Sequence, residues 1–310
     1  MEAFLSETHI TTSRKHLTTI KDIKNEINKI KIKKAPGPDE IENILIKNLS
    51  QKTIRQLTYI INAIITLQHF PNTWKLATVI PVPKPNKEHT LLESYRPISL
   101  LNALLKITER IIYNKLNLSD EKYHKIIPAQ FGFRNGHSTV QQIARITNDI
   151  SVEYNRNNVT TMLLLDIEKA FDRVWKEGLL YKMIHAQYPP HLIKLISNYL
   201  TERKYHVKIG NATSQVKAVN AGVPQGSVLG PRLFLYYIND IPDQRGTKLA
   251  LFADDTAIHA HSFSAVVAAK RTQMHIDELE RYYKKWKING TNNIHEKTQR
   301  EQDIYTDQYI

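Results

Sequence analysis

Residues 251–258 (LFADDTAI) place two adjacent carboxylates, Asp254 and Asp255, between two apolar runs. Each flank is typical of a β-strand, with KLALFA before the acids and TAIHAHS after them, so the sequence predicts a hairpin with both carboxylates at its tip. Hard divalent cations prefer oxygen ligands of this kind. Because Asp-Asp pairs are also common in solvated turns, the pair alone leaves a metal site and a plain turn both open.

Two further segments carry residues that would complement this acid pair. Asp166 directly follows the apolar run TTMLLL (160–165), which predicts a strand that ends at a carboxylate. The turn GVPQG (222–226) precedes residues 228–238, which are apolar on nearly every side and therefore predict a buried helix. Three convergent carboxylates can hold two cations for phosphoryl transfer. We therefore expect Asp166, Asp254 and Asp255 to form one metal site.

The composition narrows the class of protein. The chain has 310 residues, 41% of them hydrophobic, which is enough for a sizeable core. Forty-three Lys and Arg against 30 Asp and Glu give a formal charge of +13, which favours a polyanionic partner but also fits a generic basic surface. The chain has no cysteine, which excludes disulfides and thiolate zinc sites. The sequence shows neither a signal peptide nor an apolar run of membrane-spanning length, so we expect an intracellular protein without membrane contact.

The N-terminal part predicts helices. Residues 14–34 combine eight Lys or Arg with isoleucines at helical spacing, which indicates a basic amphipathic helix whose charged face either contacts phosphates or is simply solvated. APGPD (35–39) ends it. Helices are then predicted over 41–49 and 52–69, the second with a buried stripe of Ile54, Leu57, Ile61, Ile64 and Ile65.

A basic pair follows in the next segment. Residues 77–83 (ATVIPVP) are β-branched and interrupted by proline, which favours an edge strand over a central one. Lys84 and Arg96 would lie near each other if the residues between them fold back as a hairpin. Such a pair can hold a triphosphate, because Arg offers a bidentate fork and Lys a point charge.

The middle and end of the chain alternate between helices and hairpins. A helix is predicted over 102–116, and Ser138 with Gln141 fits a capping box at the start of another. Upstream of it, QFGFRNGHS suits contacts with nucleic acid, although Phe131 and Phe133 are more typical of a core. Helices over 175–186, 190–200 and 264–288 and a hairpin within 205–219 complete the prediction. His259 and His261 would share one strand face, but without further ligands we interpret them as ordinary strand residues.

Read together, the motifs resemble those of a known family. DIEKAFD (166–172), GVPQGSVLGP (222–231) and FADD (252–255) are similar to motifs A, B and C of reverse transcriptases from non-LTR retrotransposons of the jockey type. VIPVPKPNK, YRPISLLNALLKITERIIYNKL, AQFGFRNGHST and KKAPGPDEI resemble further blocks in the family's order. The resemblance covers about residues 18–290. It implies an α+β fold, a right-hand polymerase fingers and palm with an antiparallel palm sheet packed on helices and with the thumb missing.

The resemblance also implies a domain division and roles for individual residues. Residues 1–70 would be an N-terminal helical extension, 71–290 the fingers and palm, and 291–310 a polar, disordered tail. Asp166 and Asp254 would be the principal ligands of two Mg²⁺ ions, with Asp255 as third carboxylate. The backbone carbonyl of Ile167 would be a further metal ligand, and Phe171 would be either a steric gate against ribonucleotides or a plain core residue. Gln225 and Gly226 would lie beside the nucleotide. Lys84 and Arg96 would bind the triphosphate, and Lys297 would donate a proton to pyrophosphate. For Asp172 we favour a helix N-cap.

The implied function is that of an RNA-directed DNA polymerase of a mobile element. It would add dNTPs to the 3′-hydroxyl of a DNA primer on an RNA template. Two alternatives stay open, a nucleic-acid-binding remnant of a truncated element that does not polymerise, and an RNA-dependent RNA polymerase, which FADD and Phe171 disfavour. The expected location is a nuclear or cytoplasmic ribonucleoprotein, and the sequence leaves the oligomeric state open.

Overall fold

A computed structural model describes residues 17–85, 88–123 and 125–288. Lys297 and the predicted tail over 291–310 lie outside these residues. The chain divides into two compact units, Met1–Lys125 with Lys176–Leu233 and Ile126–Trp175 with Phe234–Ile310. The predicted boundary near residue 70 falls inside the first unit, and the predicted domain limits stay a prediction.

Helices and strands alternate along the chain. The helices are α1 (Ile20–Lys29), α2 (Asn43–Lys47), α3 (Gln51–Leu67), α4 (Ala103–Tyr123), α5 (Thr139–Tyr154), α6 (Lys176–His185), α7 (Pro190–Leu200), α8 (Leu229–Ile238) and α9 (Ala265–Lys285). The strands are β1 (Leu76–Pro83), β2 (Tyr95–Leu100), β3 (Val159–Leu165), β4 (Lys204–Ile209), β5 (Ala212–Thr213), β6 (Lys217–Ala218), β7 (Thr247–Phe252) and β8 (Asp255–Ser262). No helix within the described residues is both long and apolar enough to span a bilayer.

The N-terminal helices belong to the core of the first unit. Thr19 and Asp22 form a capping box at the start of α1, and Ile23 and Ile27 on this helix are buried, so the amphipathic helix predicted within 14–34 is confirmed over Ile20–Lys29 and ends before residues 31–34. The predicted stripe of α3 is buried in full. At Gly37, in the APGPD turn, a Cβ would lie 2.5 Å from the backbone nitrogen of Asn102. Only glycine allows the turn to pack this closely on the start of α4.

The sheet of the first unit has the order β2-β1-β4-β5, with β6 on β4. Strands β1 and β2 form the expected antiparallel hairpin, whereas β1 and β4 pair in parallel from Leu76 to Val79. The prediction of an edge strand at 77–83 is therefore wrong, since β1 is internal. Its prolines are tolerated because Pro81 and Pro83 lie beyond the last pair with β4, where β2 is the partner strand.

The sheet of the second unit has the antiparallel order β3-β8-β7. The β7–β8 hairpin pairs from Thr247↔Ala260 to Phe252↔Asp255, as the sequence predicts. Helix α9 lies on one face of the sheet, where the hydroxyls of Thr161 and Thr272 hydrogen-bond at 2.8 Å. The predicted antiparallel sheet packed on helices is thus confirmed.

Helix α5 contacts the same sheet through polar side chains. Gln142 is buried and donates to the carbonyl of Leu251 at 3.1 Å, Arg145 donates to that of Leu249 at 2.8 Å, and Asp149 forms an ion pair with Lys248 at 2.7 Å. Its apolar Val140 and Ile143 are exposed. The predicted capping box of Ser138 and Gln141 is present, but the contacts with the sheet described above are made by polar side chains and not by Val140 and Ile143.

Candidate active site

The strand register places Asp166 and Asp255 opposite each other. Strand β3 pairs with β8 up to Leu165↔Thr256, so the next residues in the same register are Asp166 and Asp255. Directly opposed residues of an antiparallel pair project to the same face, with Cβ atoms about 5 Å apart. The sequence predicted that these two carboxylates converge, and the sheet brings them to the same strand end.

Asp254 lies in the connection between β7 and β8. Ala253 and Asp254 form this two-residue turn, and Ala253 adopts a left-handed φ of 58°. A residue with a Cβ seldom adopts this conformation unless its surroundings hold it there. The side chain of Gln130 does so, because its amide oxygen accepts from the backbone N–H of Ala253 at 2.9 Å and its amide nitrogen donates to the carbonyl at 3.3 Å.

The segment around Gln130 lies directly against the carboxylate hairpin. Leu251 donates to the carbonyl of Ala129, and Phe131 donates to the carbonyl of Leu251, both at 2.9 Å. At Gly132 a Cβ would lie 2.1 Å from the backbone nitrogen of Ala253, so a larger residue does not fit there. The sequence favoured a role for this QFGF segment in nucleic-acid contact. In the structure, Gln130 and Gly132 support the turn that carries Asp254.

The electrostatics of the opposed pair suit a cation. Partial burial and the charge of Asp166 raise the pKa of Asp255, as expected for a carboxyl group that faces a like charge. A divalent cation would relieve this repulsion, and carboxylate oxygens are suitable ligands for it. Nevertheless, no group of three His, Cys, Asp or Glu side chains within the described residues is arranged to hold a metal ion. The structure therefore brings two of the three predicted carboxylates together, but not all three as one ligand set.

Phe171 belongs to an aromatic cluster near the end of β3. Its ring stacks on Phe234 with centroids 5.1 Å apart and meets Phe133 edge-on at 6.0 Å. Phe234 is buried, Phe171 is half-buried, and Phe133 is exposed. The expectation that Phe133 is a core residue is wrong, whereas the steric-gate role of Phe171 stays a prediction. Asp172 is not the N-cap we favoured, because α6 begins only at Lys176.

The predicted triphosphate grip lies on the β1–β2 hairpin of the first unit. Arg96 pairs with Val82 in the strand register, and the backbone nitrogen of Lys84 donates to the carbonyl of Ser94 at 2.8 Å. Lys84 and Arg96 therefore lie at the same end of the β1–β2 hairpin. Neither side chain forms an ion pair with any described residue, which leaves both cations available to a phosphate.

Gln225 and Gly226 form a turn that rests on β2 of the same unit. Ser99 donates its backbone N–H to the carbonyl of Gln225 at 2.8 Å. Gly226 has a φ of 98°, and a Cβ there would lie 2.8 Å from the carbonyl oxygen of Ser99. The left-handed φ and the close approach to Ser99 both require glycine at this position. Gly226 thus lies against the strand that carries Arg96, and its place beside the nucleotide stays a prediction.

A buried carboxyl group fixes the residues that follow this turn. Glu109 on α4 is fully buried. It accepts from the backbone N–H of Val228 at 2.7 Å and from the hydroxyl of Tyr199 at 2.5 Å. Burial raises the pKa of Glu109, although these two hydrogen bonds and the nearby Arg203 oppose the shift. Glu109 therefore positions the start of the segment leading into α8.

Sequence reasoning did not find Gln130 and Glu109 as positioning residues. Both lie within blocks that it quoted, but their roles depend on partners more than a hundred residues away. For Gln130 the available signal was a lone polar residue inside the apolar run IIPAQFGF, whereas Glu109, between Thr108 and Arg110, gives no such signal. His259 and His261 lie on β8, with His259 3.4 Å from Asp149, and their interpretation as ordinary strand residues stays a prediction.

The sequence is similar to those of known proteins. The profile of the family described as "Reverse transcriptase (RNA-dependent DNA polymerase)" matches residues 82–302. The chain belongs to the reverse transcriptase family. This confirms the resemblance of motifs A, B and C and the predicted fingers-and-palm fold class. The reverse transcriptase match spans both units of the chain and includes Asp166, Gln225, Asp254 and Asp255.

Curated relatives from mobile elements agree with this assignment. The chain is 38% identical over 279 residues to the RNA-directed DNA polymerase from mobile element jockey of Drosophila melanogaster, which covers 87% of the chain and 30% of that relative. The protein of the same name from Drosophila funebris is 36% identical, with 87% and 30% covered. The chain thus spans about a third of the length of these relatives. Among solved structures, an apo telomerase from Candida tropicalis, truncated from its C-terminal domain, matches with a TM-score of 0.47 and 14% sequence identity. The match covers 72% of this chain and 49% of the telomerase chain, and a TM-score this low supports no conclusion.

Proposed function

We propose that this reverse transcriptase chain is the fingers-and-palm part of an RNA-directed DNA polymerase of a mobile element. It would use an RNA template, a DNA primer and dNTPs within a nuclear or cytoplasmic ribonucleoprotein. The observation that carries the proposal is the register that sets Asp166 opposite Asp255, with Asp254 in the adjoining clamped turn. Family membership and the names of the mobile-element relatives support it.

The reaction is a nucleotidyl transfer. The oxygen of the primer 3′-hydroxyl attacks the α-phosphorus of the dNTP and loses its proton, a new P–O bond forms, and the bond to the bridging oxygen breaks as pyrophosphate leaves. When bound, two Mg²⁺ ions stabilise the charge on the attacking and leaving oxygens. Asp166 and Asp255, which the strand register sets opposite each other, would hold them, and Asp254 and the carbonyl of Ile167 would complete the ligand set only once the cations are bound. Lys84 and Arg96 would bind the triphosphate, with Gln225 and Gly226 against the nucleotide.

Substrate selection would depend on Phe171. Its ring rests against the buried Phe234, which holds it in one place, and the side chain is only half-buried, so part of it could contact a sugar. A rigid ring beneath the incoming nucleotide would exclude a 2′-hydroxyl. This arrangement favours deoxynucleotides over ribonucleotides.

The second candidate function is nucleic-acid binding without polymerisation. It is favoured by the absence of a three-ligand group among the described residues and by the formal charge of +13. Such a chain would bind RNA through phosphate neutralisation, and its carboxylates would have no catalytic role.

Primer extension separates the two functions. Purified protein is incubated with an RNA template, a DNA primer, dNTPs and Mg²⁺, and Asp166→Asn is compared with Glu168→Gln, an exposed carboxylate two residues away. We expect extension by the wild type and by Glu168→Gln, and a loss of at least about 100-fold in Asp166→Asn. RNA binding without extension in the wild type, unchanged in Asp166→Asn, would establish the binding function instead.

A further inference from the structure

The first unit contains a basic cavity at the N-terminal end of β1. It has a volume of about 390 Å³ and is lined by Asn72, Lys75, Leu76, Glu202, Arg203, Lys204 and Ala218. Three of these residues are cations and one is an anion. Cavities of this size hold small ligands, and the balance of charge favours a negative one.

The two innermost cations are buried, and although Glu109 lies near Arg203 and Glu202 near Lys75, neither cation is in direct ionic contact with a described carboxylate. Lys75 and Arg203 are each 3% exposed, and neither forms an ion pair with a described residue. One nitrogen of Arg203, Nη1, donates to the carbonyl of Tyr199 at 3.4 Å, and the guanidinium lies over the Tyr199 ring at 4.7 Å. The other, Nη2, is buried and has no hydrogen-bond partner among the described residues. A buried cation that lacks a partner destabilises a fold, so an anion in the cavity would supply what the protein does not.

The titration of the lysines agrees with this geometry. Burial lowers the pKa of Lys75, and Arg203 adds to the shift while Glu202 opposes it. Burial and Arg203 also lower the pKa of the nearby Lys176. These cations therefore repel one another, and a bound anion would reverse the effect.

This cavity is separate from the predicted triphosphate grip. Leu76 begins β1 and lines the cavity, whereas Arg96 pairs with Val82 near the other end of that strand. At about 3.3 Å of rise per residue the two places lie roughly 20 Å apart. One phosphate-bearing ligand cannot occupy both through the same phosphate group.

We propose that Lys75 and Arg203 form a binding site for a phosphate group, distinct from the nucleotide site. A phosphate dianion accepts several hydrogen bonds, so it can bind the ammonium group of Lys75, while the guanidinium group of Arg203 contributes its charge from the cavity wall. Lys204, which is exposed, adds a third positive charge at the opening. Glu202, also exposed, opposes binding by like-charge repulsion and so limits the affinity.

Binding of inorganic phosphate to the purified chain tests the site directly. Thermal unfolding is followed at increasing phosphate and, in parallel, at KCl of equal ionic strength. We expect phosphate alone to raise the Tm of the wild type, because a ligand that binds the folded state stabilises it. In Lys75→Met, which keeps the side-chain volume, the phosphate affinity should fall at least about tenfold. Lys208→Met, an exposed lysine on β4 away from the cavity, should behave as wild type.

A second variant, expected to raise the phosphate affinity, distinguishes a lost binding site from a folding defect. Glu202→Gln removes the exposed carboxylate and should raise the phosphate affinity several-fold. An equal phosphate response in Lys75→Met and the wild type, an equal response to KCl, or no gain in Glu202→Gln would overturn the site. None of these measurements requires polymerase activity, so their outcome is independent of the function proposed above.

The source of the phosphate group is settled by competition. A short RNA labelled with a fluorophore is bound to the chain, and inorganic phosphate is added at constant ionic strength. Displacement of the RNA from the wild type but not from Lys75→Met assigns the site to a phosphate of a nucleic-acid strand. Phosphate binding without displacement assigns it to a free anion.

Discussion

The two turns that carry the predicted site residues are supported in different ways. The turn of Ala253 and Asp254 is held by the neutral amide of Gln130, which donates and accepts at the same residue. The segment after Gln225 and Gly226 is held by the carboxyl group of Glu109, which accepts from Val228 and Tyr199. Both supporting side chains are buried.

The difference follows from the charges nearby. A carboxylate in place of Gln130 would add a negative charge beside residues that already repel one another, and an ionised one could not donate to the Ala253 carbonyl. Glu109 lies under no such constraint, because Arg203 and Lys106 are its charged neighbours. The carboxylate turn is thus held independently of pH, while the other segment depends on an ionisable group.

Removal of the Glu109 carboxyl should have the largest effect on stability. Glu109→Ala leaves the Val228 N–H and the Tyr199 hydroxyl buried without a partner, and it opens a cavity. We expect a loss of about 3–5 kcal/mol in the free energy of unfolding, measured by urea denaturation. Glu121→Ala, an exposed glutamate on the same helix, serves as control and should change stability by less than about 1 kcal/mol. A loss that small in Glu109→Ala would contradict the role of this carboxyl group.

Gly132→Ala should come next, because its Cβ would lie 2.1 Å from the Ala253 nitrogen. The hairpin must move to relieve this contact, at an expected cost of about 2–4 kcal/mol and with a loss of primer extension. Gly136→Ala in the same loop is the control. Gly136 has a left-handed φ of 73°, but no atom lies within 4 Å of where its Cβ would be. This variant should therefore lose only about 1 kcal/mol in the free energy of unfolding. A loss in Gly132→Ala no larger than that in Gly136→Ala would contradict the role of the close approach.

Gln130→Ala isolates the amide itself. It leaves the N–H and carbonyl of Ala253 unpaired, which should cost about 1–3 kcal/mol. Because Ala253 then loses support for its left-handed conformation, primer extension should fall more than stability predicts. Gln273→Ala, on the exposed face of α9, is the control and should leave both stability and primer extension unchanged. Extension by Gln130→Ala at the wild-type rate would show that the turn holds Asp254 without the clamp.

Sequence reasoning anticipated the parts of these turns that depend on local pattern. The hairpin around Asp254, the strand before Asp166 and the capping box at Ser138 all follow from neighbouring residues, and all are present. The stripe of α3 was read correctly for the same reason, since helical spacing alone decides which side is buried.

The failures all involve partners that are distant in sequence. Parallel pairing of β1 with β4 joins residues about 130 positions apart, and nothing within 77–83 signals it. Helix α5 buries Gln142 while Val140 and Ile143 stay exposed, because its partner is a set of backbone carbonyls on the sheet. The clamps of Gln130 and Glu109 belong to this class as well. Polar residues that satisfy distant backbone groups have no period in the sequence.

A pH series distinguishes the two kinds of support. Glu109 has a raised pKa in the folded state, so the folded chain binds the proton more tightly than the unfolded chain. Its contribution to stability is present at low pH and is lost as pH rises from about 4.5 through the folded pKa. Glu109→Gln lacks this titration, so its stability relative to the wild type should improve from pH 5 to pH 8 in urea denaturation. Gln130→Leu should lose stability equally at both pH values, and a similar slope for the two variants would undo the contrast.

The smallest effect is expected at the carboxylate pair itself. The raised pKa of Asp255 means that its ionised form is disfavoured in the folded chain by partial burial and by Asp166, so stability falls as pH rises through that pKa. Asp255→Asn should therefore raise the Tm at pH 7.5 by about 1–2 °C, and the gain should shrink as pH falls through the raised pKa of the wild-type group. Glu168→Gln, which removes contacts to Lys169 and Arg173, should give no gain. A gain of equal size at pH 4 would show that charge repulsion is not its cause, and a loss at pH 7.5 would show that Asp255 has a stabilising partner. A gain confined to high pH would mean that this turn keeps a charge that costs stability, which is expected of a site selected to bind cations.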